Sequence, residues 1–214
     1  MARNNKILAT LGKLCATDDI PETREYAVTA LQNLAFAKEN RKRLTTFCAG
    51  VLLKVLKKTV SSDPNYRARR RAAGALTNLA CDETAQRIGS HRGLLNVLSV
   101  VSMKDGNEDV QRRAALALTK IASSITVSMQ CHAQLLDALV VSASGKNLSS
   151  AAVVFRAKAK NLQNRSCMAR HSGCIEALAK ITSSHHARSK DKENLIQAMM
   201  NSTNDDYNLK MYGM

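Results

Sequence analysis

Two sets of residues in this chain are of types that could do chemistry. Cys167, His171 and Cys174 carry the side chains of a zinc site. Asn33, Asn78, Asn161 and Asn201 are polar residues inside apolar, helix-forming stretches, as in "ALQNLA" and "ALTNLA". An asparagine amide offers one donor group and one acceptor, the complement of a bare peptide bond. The first chemistry would be metal binding and the second recognition of another chain.

The metal reading dissolves when the chain is set against itself. His171 stands two residues before Gly173, as Cys48 and His91 stand two before Gly50 and Gly93, and Cys131 two before Ala133. One Cys or His per unit reads as a structural slot whose members lie too far apart to share an ion. His185 and His186 read as a solvated pair. No phosphate-binding glycine loop, GxSxG elbow or catalytic carboxylate pair occurs. Neither catalysis, a metal nor a cofactor is expected.

The asparagines survive the same test. Apolar segments begin after Asn5, Gly50, Gly93, Ala133 and Gly173, at steps of 45, 43, 40 and 40. Counting from these anchors, Asn33, Asn78, Asn161 and Asn201 fall 28 residues on, and Lys120 falls 27 on. Five units thus share one register, approximately 1–48, 49–91, 92–131, 132–171 and 172–214. Asn164 competes for the fourth place, and the constant spacing selects Asn161.

The elements that must position this column follow from pattern and composition. Apolar residues make up 45% of the 214, aromatics only 3%, and there is no Trp, which favours close-packed helix layers. Two prolines and nine glycines leave little punctuation for a β fold. Each unit reads as a short helical piece, a second helix and a longer third one. The third helices are predicted at Glu22 to Phe36, Tyr66 to Cys81, Glu108 to Ser123, Ser150 to Asn164 and Lys190 to Thr203. Pro21 and Pro64 precede the first two, where a helix tolerates proline. No such unit buries its apolar face alone, so the units must stack. The first residues, with Lys13 breaking the apolar run, read as an amphipathic helix rather than a signal peptide. No apolar run approaches the ~20 residues of a membrane span. Without a CxxC pair, the six cysteines read as reduced, small core residues of a cytosolic or nuclear protein.

This pattern resembles the armadillo repeat family, through "ALQNLA" and "ALTNLA", the glycine openings "CAG", "HRG" and "HSG", and "ENRKRL" between units. HEAT repeats are the nearest alternative, and the asparagine column argues against them. The resemblance implies an all-α, right-handed solenoid of three-helix repeats. Its third helices would line a concave groove where asparagines grip the backbone of an extended peptide. Members that carry nuclear import signals place a Trp four residues before the asparagine. Here that position holds Thr29, Gly74, Leu116, Ala157 and Gln197, so the array is closer to catenin-like ones.

The residues themselves support the same face. At about 100° per residue, the packed stripe of the second unit is Ala72, Ala75, Leu76 and Leu79, and Asn78 lies beside it. Two roles are open for each asparagine: gripping a ligand, or bonding a neighbouring helix end within the array. Net charge is +15. Arg67, Arg71, Arg113, Lys120 and Arg165 surround the column against Asp82 and Asp205, which makes the middle of the groove basic. The run Arg67 to Arg71 could be a localisation signal, a phosphate contact or a groove edge. The expected site is therefore Asn33, Asn78, Lys120, Asn161, Asn201, Arg71, Arg113 and Arg165, holding an extended acidic segment of a protein partner. A basic face for nucleic acid or anionic lipid is the alternative. So few aromatics argue against single-strand stacking.

Overall fold

A computed structural model describes residues 4–124, 136, 139–140, 152, 155, 158–159, 162–171, 173–183, 189 and 192–193. The chain divides into two compact units, Met1–Thr126 and Val127–Met214, and no described residue is in a strand.

In the first unit the helices are α1 (Asn5–Thr17), α2 (Pro21–Phe36), α3 (Lys38–Thr46), α4 (Val51–Ser62), α5 (Tyr66–Leu79), α6 (Asp82–Gly89), α7 (Leu94–Lys104) and α8 (Glu108–Ser124). A 3₁₀ turn, Phe47–Gly50, joins α3 to α4. Like packs on like. The long helices α2, α5 and α8 lie side by side, as do α1, α4 and α7, while α3 packs on α6. This is the repeat of short, medium and long helices expected from the spacing. The buried stripe recurs in register: Ala27, Val28 and Leu31 in α2, Ala72, Ala73 and Leu76 in α5, Ala114, Ala115 and Leu118 in α8. Small alanines on this stripe let neighbouring long helices approach closely.

Local sequence sets the boundaries. Asn4 caps α1 by accepting from the Lys6 and Ile7 amides, and Asn65 and Asn107 cap α5 and α8 in the same way. Gly50 and Gly93 adopt left-handed φ of 89° and 72° to open α4 and α7. The Cys/His slot is a turn: the residue after each glycine donates its amide to the carbonyl two before it, Val51 to Cys48 and Leu94 to His91. The third helix predicted to reach Cys81 stops at Leu79, because Ala80 and Cys81 are extended and Cys81 caps α6.

In the second unit the described helices include α9 (Leu162–Arg170) and α10 (Cys174–Ser183), with Gly173 at φ 82° before α10. Cys174 donates to the His171 carbonyl, repeating the slot a third time. Cys15 and Cys174 are buried, as expected of core cysteines, but Cys48 is exposed on the turn.

Candidate binding face on the third helices

The expected column is present in the first unit. Asn33, Asn78 and Lys120 hold equivalent places in α2, α5 and α8, each six residues after a buried alanine and two after a buried leucine. Arg71 and Arg113 are likewise equivalent, seven residues before the column in α5 and α8. Asn33, Lys120 and Arg113 are exposed, and their side chains make no hydrogen bond or ion pair to any described residue.

Asn78 behaves differently. Its Nδ2 donates to the Gln32 carbonyl at 3.1 Å, tying α5 to the last turn of α2. Of the two roles open for an asparagine, this amide nitrogen has the internal one. Gln32 itself lies over Gly74, where a Cβ would stand 2.5 Å from Gln32 Nε2. Gly74 is thus the seat of a glutamine. Gln32 Oε1 is buried there without a partner.

The basic run separates residue by residue. Arg69 Nε binds Asp105 at 2.7 Å, and its Nη1 binds the Asp63 carbonyl at 2.7 Å. Arg70 lies 3.7 Å from Asp109, which Arg112 also engages. Arg67 stands 6.0 Å over the Tyr66 ring. Its pKa is raised, first by the hydrogen bond with Tyr66, then by the charges of Tyr66 and Glu25. Arg71 makes no hydrogen bond or ion pair to a described residue, and its Nε is shielded from water. Exposed aromatics flank this stretch: Tyr26 is 72% accessible, Tyr66 42% and Phe36 76%. For a chain so poor in aromatics, three exposed rings on two adjacent third helices mark a surface able to make contacts.

In the second unit the described residues show a helix junction. Asn161 and Asn201 lie outside the described residues. Asn40 Nδ2 binds the Leu34 carbonyl and Arg41 Nε the Ala35 carbonyl, both at 3.1 Å, closing the passage from α2 to α3. Asn164 and Arg165 repeat those bonds to Lys158 and Ala159 at 3.2 and 2.8 Å. Asn164 and Arg165 therefore occupy the junction slot of Asn40 and Arg41. Buried Ala152, Phe155 and Ala159 then match Val28, Leu31 and Ala35. Arg165 thus belongs to a helix junction.

A further set of residues was not foreseen. Asp18, Asp63 and Asp105 each accept the amide two residues on, from Ile20, Asn65 and Asn107. Arg24 reaches back to the Asp18 carbonyl at 2.7 Å and forward to Asp63 at 2.8 Å, and Arg69 repeats this with Asp63 and Asp105. Gln111 takes the arginine's place in the third member, holding the Asp105 carbonyl at 2.6 Å. The signal was in the sequence: Asp18, Asp63 and Asp105 are each followed six residues later by Arg24, Arg69 and Gln111.

Among the described residues no group of three or more His, Cys, Asp or Glu could hold a metal, and no helix is long and apolar enough to cross a membrane. Burial pushes the Cys15 and Cys174 thiols up to about 12, which suits packing rather than nucleophilic chemistry.

No family model matches the chain, and no curated protein matches it. Solved structures do. A designed armadillo repeat protein in complex with the peptide (KR)4 superposes with a TM-score of 0.66 at 23% identity, over 91% of this chain and 81% of that one. A structure of computationally designed armadillo repeat proteins for modular peptide recognition gives 0.67 at 24%, over 91% and 81%. An engineered protein gives 0.67 at 26%, over 92% of this chain and 47% of its own. Together with the helix layers, this likeness establishes the fold as an all-α solenoid of armadillo type.

Proposed function

We propose that the chain is a non-enzymatic scaffold, cytosolic or nuclear, whose third-helix face holds an extended acidic segment of a protein partner. The observation that carries this reading is the free cation set. Among the described residues Arg71, Arg113 and Lys120 have no carboxylate, whereas Arg24, Arg69, Arg70 and Arg112 do. Asn33, with its amide free, supplies a donor and an acceptor for a backbone. Peptide recognition by the designed armadillo proteins supports the general reading. One of them is in complex with a basic peptide, and the unpaired charge here is of the opposite kind. The absence of tryptophan beside the column favours a catenin-like over an import-type array. Asn161 and Asn201 would extend the face only if later units present them.

The test is binding of a polyglutamate peptide by the intact chain and by Asn33→Ala/Arg113→Glu. Both residues are off the packed stripe, so the fold should be unchanged and binding should fall sharply. Undiminished binding would sink the assignment. The competing reading, a basic face for nucleic acid or anionic lipid, draws on the +15 net charge. Random duplex DNA held that way should lose affinity with a log–log salt slope near about −0.9 per phosphate. If only the duplex bound, and Asn33→Ala left it untouched, that reading would replace the peptide one.

A further inference from the structure

We infer that Arg71 and Arg113, with Arg67 one turn away, form an anchor for a phosphorylated side chain of the bound peptide. This rests on the peptide reading and adds the class of residue the partner must present.

The placement comes from the repeat. Arg71 and Arg113 are equivalent positions on α5 and α8, which pack against each other. Neighbouring helix axes lie ~8–10 Å apart. Two extended arginine arms at that spacing can converge on a single group between them. Arg67 is four residues before Arg71, on the same face and about one turn away.

Charge selects the ligand. Acids on these helices and the turn before α8 are already engaged: Asp109 by Arg70 and Arg112, Glu25 by Asn65 Nδ2 at 3.2 Å, and Asp105 by Arg69. Arg71 holds a shielded Nε that no described residue hydrogen-bonds. A single carboxylate has two oxygens and satisfies one guanidinium fork. A phosphate ester carries about −1.5 to −2 charge and three acceptor oxygens, enough for two forks at once. The exposed rings of Tyr26 and Tyr66 flank the cluster and give apolar contact to whatever adjoins the phosphate.

The experiment uses the full chain and a labelled peptide of about twelve residues, alternating Asp and Gly around one central serine, in serine, phosphoserine and glutamate forms. The phosphoserine form should bind on the order of tenfold tighter than the serine form, with glutamate closer to serine. Arg71→Gln/Arg113→Gln should abolish that increment, and Arg71→Lys should remove most of it, since lysine keeps charge but not the fork. Arg113→Gln alone, at an exposed position, covers the case in which the double variant folds poorly. Asn33→Ala should weaken all three forms alike. Equal binding of the three forms, with Asn33→Ala still weakening them, would overturn the anchor and leave the peptide reading standing. A phosphoserine increment that survived the arginine changes would overturn its location. Failure of all three forms to bind would overturn both.

Discussion

Arg24 Nε lies 2.8 Å from Asp63 Oδ2, thirty-nine residues on, while its Nη1 holds the Asp18 carbonyl at 2.7 Å. One guanidinium thus fastens the turn that starts its own third helix to the matching turn of the next repeat. Arg69 does the same with Asp105. Both side chains of the first pair are nearly buried, at 12% and 5% accessible. Removing one partner from such a pair leaves an uncompensated charge.

Asp63→Ala is therefore expected to cost ~1–3 kcal/mol in denaturant unfolding. Arg24→Met/Asp63→Ala should cost clearly less than the sum of the two single changes. Strict additivity in that cycle would show that the bond does not couple the repeats.

The two column asparagines are expected to part company. Asn78→Ala loses the bond to the Gln32 carbonyl and should cost about 1 kcal/mol, offset in part by alanine's better helix propensity. Asn33→Ala has no bond to lose and should be neutral or slightly stabilising, by up to ~0.7 kcal/mol. Equal effects in thermal unfolding would mean that Asn78 is as free as Asn33.

The helix layers were legible because their signal is dense. A stripe such as Ala72, Ala73 and Leu76 recurs in three long helices, and the predicted ends fall within two residues of α2, α5 and α8. The candidate face was legible in part: counting put Asn33, Asn78 and Lys120, and Arg71 and Arg113, at equivalent helix positions, but not which of them had partners among the described residues. That depends on side-chain direction, as when Asn78 turns to α2. The register of the second unit was hidden because "NLQNRS" offers asparagines at both 161 and 164. Only the bonds of Asn164 and Arg165 distinguish a junction from a column. The Asp–Arg series was overlooked because its members sit among many scattered charges.

Gly74→Ala tests the seat of Gln32. The new methyl would stand 2.5 Å from Gln32 Nε2, the far end of a flexible side chain, so the glutamine must move. Moving it exposes Oε1, which is buried without a partner. Alanine in place of a helical glycine is worth ~0.8–1.0 kcal/mol. The variant should gain about 0.5 kcal/mol or more, read from the denaturation midpoint. A loss of stability would show that the Gln32 contact matters more than helix propensity.

His91 predicts a pH dependence with a definite sign. Burial, aided by the nearby charge of Lys57, lowers its pKa in the folded chain below the ordinary histidine value of 6.5. Its Nδ1 is buried without a hydrogen-bond partner, so protonation would place an unpaired charge against the α4 side of the turn. The unfolded chain therefore binds the proton first. Stability conferred by neutral His91 is complete above 6.5 and drains away as pH falls from there through the lower folded value. In the repeat the equivalent slot holds Cys48, so a thiol fits the turn without a charge to gain. His91→Cys should flatten the unfolding free energy between about pH 7 and pH 5, while the parent chain loses stability over that interval. The same slope in both proteins would assign the acid sensitivity elsewhere.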